Sequence, residues 1–332
     1  MGTEMSSSVS TEMSPEPSTA STFTIATTVE EAVAALAAGA TVVAGGSDLV
    51  VGHRQGKAPL PDHLVAIDRV AELARIDRDD DGGLTIGAVV THAQLVVDPT
   101  VVADYTALAD GSALVGSPAT RNVGTLGGNI MNGSPAMDTG APLVVLGAVL
   151  ELRSPGGTRS LPPAELWTGP GHSSAAADEL LVACRLPARP ERSGSAYVRL
   201  EYRRAMEIAV VGAAALVSLD EGGALSQLRV ALTAVAPTII EVGGLDDMAG
   251  RTIDAGVLDE VAARSRAAAT PISDLRAGDQ YRRHCVGVMA KRAVAAAAAR
   301  AEGHTIAVPV NRSIGVGAAA MAGGTPLKGF TS

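Results

Sequence analysis

Aromatic residues are scarce in this chain of 332 residues: Trp167, four tyrosines, and Phe23 and Phe330 are its only rings. An aromatic pocket for a bulky organic substrate is hard to build from them, so Ala, Val, Gly and Leu must carry the core. Basic charge is also in deficit, 26 Lys and Arg against 35 Asp and Glu, with no basic run. That excludes a nucleic-acid backbone as the ligand. The two cysteines, Cys184 and Cys285, form no CxxC or Cys/His cluster. They exclude a disulfide framework, and they exclude an iron–sulfur cluster held by this chain alone, which needs four ligands. They read as buried thiols in a reducing cytoplasm. No apolar run approaches the ~18 residues of a membrane span, the longest being Ile208 to Leu219.

Several motifs are missing as well. Gly315-Val-Gly317 lacks the third glycine of a dinucleotide fingerprint, because Ala320 stands there. Gly52 to Lys57 is one residue short of a phosphate-binding P-loop, and Ala58 replaces its Ser or Thr. No nucleophile elbow or HExxH appears, and the six histidines are scattered and read as surface or capping residues. The first 22 residues, rich in Ser, Thr and Pro, read as a disordered tail and not as a signal peptide. Gly2 and Ser6 match an acylation pattern, which has no second membrane signal to support it.

What remains is the length of two domains at ~150 residues each. Thr28 and Glu31 predict a capping box for a helix with Val29, Ala32, Val33 and Leu36 on one face, stopped by Gly39. Strands are expected at 41–44, 64–67, 73–76, 84–89, 148–153 and 180–186, and helices over 49–55, after Thr91, and over 105–115. Beyond about residue 195 long antiparallel strands at 196–204, 208–219 and 225–235 precede helices at 254–269 and 279–301.

Two glycine-rich segments carry the chemistry. Ala44-Gly45-Gly46-Ser47-Asp48 sits between a strand and a helix, where glycines let backbone amides approach an anion and Ser47 adds a hydroxyl. Asp48 is a candidate N-cap or ribose contact. Alone, this segment is equally an ordinary strand-to-helix turn. Thr125-Leu126-Gly127-Gly128-Asn129 is a second such loop, inside a 15-residue Gly- and Asn-rich stretch, with Asp138 as a candidate partner for ribose hydroxyls. A long surface loop is the plain alternative, but Ile130 and Met131 argue for order. Together the two can hold a pyrophosphate. Of two arginine pairs, Arg203-Arg204 lies at a turn that could face the ligand, whereas Arg282-Arg283 reads as a solvated or subunit-facing helix surface.

AGGSDL (44–49), RNVGTLGGNIMNGSPAMD (121–138), RRAMEIAVVGAA (203–214) and YRRHCVGVMAKRA (281–293) resemble, in order and spacing, the FAD-binding medium subunit of the molybdenum hydroxylases, the xanthine dehydrogenase and carbon monoxide dehydrogenase family. The resemblance spans roughly residues 23–300. It implies an α+β chain: a two-subdomain FAD-binding domain of the vanillyl-alcohol-oxidase (PCMH) type over 23–195, then a CO dehydrogenase flavoprotein C-terminal-like domain of antiparallel sheet plus helices over 196–302. Residues 1–22 and 303–332 would be a tail and an extension. It assigns Ala44 to Asp48 and Thr125 to Asn129 to the FAD diphosphate, Asp138 to the neighbourhood of the adenosine, and Arg199 to the family's usual Lys position near the flavin ring. Glu207 replaces the usual Asp, and Ile208 a Tyr found in some relatives, which bears on flavin potential and acceptor choice.

The resemblance further implies electron transfer. A large molybdopterin-binding subunit would oxidise the substrate, and two 2Fe-2S clusters on a small subunit would pass electrons to this chain's FAD and on to an acceptor. The assembly would be a cytoplasmic heterohexamer, a dimer of heterotrimers. Two other readings compete. One is a self-sufficient flavin oxidase of the same FAD-domain superfamily; the other is a redox-inactive nucleotide-binding assembly subunit.

Overall fold

The computed structural model describes residues 21–203 and 205–313. The Gly2/Ser6 pattern, Arg204, the Gly315-Gly317 pair and most of the 303–332 extension lie outside them.

The chain opens with a small parallel sheet. Strands β1 (Thr22–Ile25), β2 (Thr41–Val43) and β3 (His63–Ala66) are ordered β1-β3-β2. Parallel strands need crossovers, supplied by helices α1 (Val29–Ala37) and α2 (Ser47–Arg54). Helix α1 buries the four expected residues, and Thr28 caps it by accepting from the Glu31 amide. Glu31 does not complete the box with Thr28; its carboxylate accepts from the Thr27 amide and hydroxyl instead.

A five-stranded antiparallel sheet follows, ordered β4-β5-β10-β6-β7. Its strands are β4 (Ile76–Arg78), β5 (Leu84–Gly87), β6 (Val149–Ser154), β7 (Gly157–Leu161) and β10 (Leu180–Leu186), with a two-stranded hairpin β8 (Trp167–Gly169) and β9 (His172–Ser173) inserted. The strand expected at 73–76 begins at Ile76, because Ala71–Ala74 is a 3-10 turn. Six short helices separate β5 from β6: α3 (His92–Val97), α4 (Pro99–Asp104), α5 (Thr106–Leu114), α6 (Pro118–Val123), α7 (Leu126–Asn132) and α8 (Gly140–Val145), and α9 (Pro163–Leu166) lies farther along. The Gly- and Asn-rich stretch is therefore largely helical, not a loop. Ser117 with Pro118 starts α6 and Thr125 starts α7, so caps outweigh the poor helix propensity of Gly and Asn.

The last third is an antiparallel meander, β11 (Ser193–Leu200), β12 (Val211–Leu219), β13 (Leu225–Thr233) and β14 (Ile240–Glu241), with α10 (Ala255–Ala268) and α11 (Asp279–Ala301) behind it. A short helix, α12 (Val310–Ser313), returns to β11. Strand β12 is buried throughout, since both faces of the sheet are covered. Ala196, Val198, Ala213, Ala215 and Val217 join the core under α11, whereas Tyr197, Ala214, Leu216 and Ala231 join the core of the preceding domain. Small residues make this possible. A Cβ at Gly194 would overlap the backbone of α11 at Ala297, so helix and strand close to backbone contact.

Candidate functional site

The two glycine-rich segments meet. A Cβ on Gly45 would collide with the Val123 carbonyl, so glycine there lets the turn after β2 lie on the backbone entering α7. One built on Gly124 would stand 3.7 Å from Ser47 Oγ. Gly46, at φ 65, turns the chain into α2, which starts with no side-chain cap. The first-turn amides of α2 are thereby left for water or a ligand, at the positive end of the helix dipole. Asp48 is not the N-cap, which is Gly46; it stands in the first turn, its side chain reaching solvent. Partial desolvation raises its carboxyl pKa against the opposing Lys57 charge.

The second segment is pinned from below. Leu126 and Gly127 donate to the carbonyls of Val90 and Ala88, both at 2.9 Å, and His92 donates to Gly124 at 3.0 Å. A Cβ on Gly127 would stand 2.6 Å from Ala88 O, so this glycine serves close packing and does not clear space for a ligand. Thr125 is buried and its hydroxyl accepts from the Gly128 amide at 3.0 Å. Thr125, Leu126 and Gly127 are thus scaffold. Gly128 is exposed and Asn129 half-buried, with Asn129 Oδ1 accepting from Thr139 at 2.6 Å.

His92, taken from sequence as a surface or capping residue, is buried under this segment, and its Nδ1 has no partner among the described residues. Burial, reinforced by the Arg121 charge, depresses its pKa to about 4, so the ring is neutral. Only its place two residues after Val90 could have marked it.

Asp138 and Arg199 stand together at the junction between the domains. Asp138 Oδ1 accepts from the Tyr197 hydroxyl at 2.9 Å and Oδ2 from Arg199 Nη1 at 2.5 Å. Arg199 Nε donates to Glu201 at 2.8 Å, and Nη1 also reaches the Glu207 carbonyl at 3.2 Å. Both residues are buried, and both carboxylate oxygens of Asp138 are engaged by protein. Burial lifts the Asp138 pKa to about 6 while Arg199 opposes it, so the carboxyl is ionised at neutral pH. A Cβ on Gly212 would stand 2.5 Å from the Tyr197 hydroxyl, so glycine there makes room for the ring.

The turn between β11 and β12 also touches the first domain. Met206, at φ 52, donates its amide to Gly116 O at 3.2 Å. Arg203 pairs with Glu207 at 3.1 Å, and Ile208 is exposed. The second arginine pair is divided: Arg282 is buried and bonds Asp274 and Ala234 O, whereas Arg283 bonds the carbonyls of Arg266 and Ala269. Both free cysteines are buried, and burial pushes the Cys184 thiol up to about 12. Among the described residues no His, Cys, Asp and Glu grouping fits a metal ion, and no helix is long and apolar enough to cross a membrane.

This architecture has close counterparts. The family model for the FAD-binding domain in molybdopterin dehydrogenase matches residues 18–189, and that for the CO dehydrogenase flavoprotein C-terminal domain matches 196–297. The chain is 34% identical over 268 residues to the xanthine dehydrogenase FAD-binding subunit of Escherichia coli O157:H7, covering 80% of this chain and 90% of that one. It is 34% identical over 276 residues to the carbon monoxide dehydrogenase medium chain of Hydrogenophaga pseudoflava, covering 82% and 95%. The solved structure of carbon monoxide dehydrogenase from the same organism superposes with a TM-score of 0.79 at 32% identity, over 84% of this chain and 97% of that one. Quinoline 2-oxidoreductase from Pseudomonas putida 86 gives 0.78 at 26% identity.

Proposed function

Because this chain belongs to the FAD-binding medium subunits of the molybdenum hydroxylases, we propose that its two meeting glycine-rich segments hold the diphosphate of FAD. The observation that carries this reading is the contact of Gly45 with Val123, which sets the uncapped start of α2 beside the second segment. Ser47 and Asp48, with Gly128 and Asn129, are the groups that face the cofactor. Ala44, Gly45, Gly46, Thr125, Leu126 and Gly127 shape the backbone around it. Asp138 and Arg199 form the wall where the two domains join, and Arg199 fixes the turn bearing Glu207 and Ile208. An acidic chain that holds a dianion mainly by backbone amides avoids the cost of buried lysines.

Bound FAD supplies the conversion between single electrons and electron pairs, the chemistry a relay subunit needs. The protein's own part is to bind, orient and shield. The neutral His92 ring supports the backbone beneath the second segment. Among the described residues no pair of side chains at the site is arranged for acid–base work on an organic substrate, which favours a relay over a self-contained oxidase.

The partners in this proposal are a large molybdopterin-binding subunit that oxidises the substrate and a small subunit with two 2Fe-2S clusters. The assembly is a cytoplasmic dimer of heterotrimers. The domain limits 23–195 and 196–302, with 1–22 a tail and 303–332 an extension, belong to the same proposal. Affinity capture of the tagged chain from its native cells, read by visible spectrum and metal content, tests it. Flavin with molybdenum, iron and two further polypeptides is the expected result. A lone yellow protein bleached by a small organic compound would establish the oxidase reading, and a chain that stays colourless in FAD the redox-inactive one.

A further inference from the structure

The family model for the second domain ends at residue 297, yet the chain continues and folds back over the junction between the domains. Ile306 packs at the edge of the C-terminal core and Val310 is fully buried within it. The Val310 amide donates to Asp110 Oδ1 at 3.0 Å. Asp110, on α5 of the first domain, is itself buried and also accepts from Arg300 at 2.6 Å and from the Tyr197 amide at 3.1 Å. The returning segment therefore grips the first domain through its backbone.

Its next residue grips the second. Asn311 Oδ1 accepts from the Arg199 amide at 2.9 Å, and Asn311 Nδ2 donates to the Arg199 carbonyl at 2.8 Å. Strand β11 is the edge of its sheet, and this side chain satisfies both backbone groups as a neighbouring strand would. The residue so fastened is the one whose guanidinium holds Asp138 and the Glu207 carbonyl. The turn before Glu207 in turn rests on Gly116 through the Met206 amide, and Gly116 leads into α6 and the second glycine-rich segment. A continuous series of contacts thus runs from Asn311 through Arg199 to the proposed cofactor cradle. Arg312 also comes near enough to Arg121 on α6 for the two charges to oppose each other.

We propose that residues 304–312 are a strap belonging to the cofactor site, and that Asn311 is its positioning residue, fixing Arg199 and through it the turn at Met206 and Glu207 against the second glycine-rich segment. The strap gives this subunit a fastening beyond the matched family domain. The proposal rests on the FAD reading above for its effect on affinity, but its effect on the turn is independent of that reading.

Asn311→Ala and Asn311→Asp in the full chain test it. Hydrogen exchange read by peptide is expected to accelerate at 198–209 in Asn311→Ala while β12 and β13 keep their protection. The FAD dissociation constant should rise, by at most roughly tenfold, the limit set when the loss of two ordinary hydrogen bonds falls wholly on the bound state. Asn311→Asp keeps the acceptor for the Arg199 amide and should recover part of both effects. The visible circular dichroism of bound flavin should shift in Asn311→Ala and return toward normal in Asn311→Asp. Wild-type exchange at 205–209 in Asn311→Ala would overturn the proposal, as would a uniform loss of protection through the whole C-terminal sheet. Should the unaltered chain take up no FAD, the function proposed above falls, while the exchange comparison still decides whether the strap holds the turn.

Discussion

Gly45 lies against the carbonyl of Val123 so closely that no side chain fits between them. This contact joins segments separated by almost eighty residues and brings Ser47 to the entrance of α7. Gly45→Ala must push them apart, at a cost of about 1–3 kcal/mol for forced overpacking. The purified variant is expected to keep its circular dichroism but to lose most of its flavin, seen as a fall in the ratio of 450 nm to 280 nm absorbance.

Thr125 acts one step removed, by capping α7 through the Gly128 amide. Thr125→Ala should lower stability in urea by about 1 kcal/mol, the usual worth of such a cap. Thr125→Ser keeps the oxygen and should restore most of it.

Much of this organisation was legible in the residues, because local chemistry decides it. The helix Asp279–Ala301 and the strand Leu180–Leu186 have the limits expected from their sequences, being long and bounded by turn residues. Thr91 with Gln94 forms a complete capping box. The short helices α6 and α7 were hidden because Gly and Asn favour helix poorly; Ser117 and Thr125 cap them, and bonds from α7 to Ala88 and Val90 add support from outside the segment. Likewise nothing near Asp138 announces Tyr197 and Arg199 as its partners, which lie about sixty residues on. The acid suited to a sugar hydroxyl by its spacing is, in the fold, occupied by an arginine and a tyrosine.

His92 gives the site a pH dependence. Its pKa falls from 6.5 to about 4 in the folded chain, so the native state binds fewer protons than the unfolded state between those values. Its contribution is complete above about pH 6.5 and is lost as the pH falls through 4. By pH 5 that loss is about 2 kcal/mol. In His92→Gln this part of the acid sensitivity should vanish, so the variant's melting temperature should fall less than wild type's between pH 7 and pH 5. Parallel melting curves for the two proteins would show that His92 is uninvolved.

The Asp138–Arg199 pair carries the opposite sign. Its folded pKa of about 6 lies above the ordinary 3.8, so the native chain binds more protons than the unfolded one between those values. This group's contribution is full below about pH 4 and declines as the pH rises through 6. Removing the counter-charge should sharpen the effect. Arg199→Met leaves a buried carboxylate unpaired, which costs about 3–5 kcal/mol where the group is forced to stay ionised. Protonation relieves that cost, so urea unfolding should find Arg199→Met much weaker than wild type at pH 8 and closer to it at pH 5. Asp138→Asn combined with Arg199→Met strands only the partly solvated Glu201 carboxylate, so its deficit should depend on pH much less than that of Arg199→Met alone. If Arg199→Met is equally destabilised at pH 5 and pH 8, Asp138 does not titrate in this range and the pair is held by packing rather than charge.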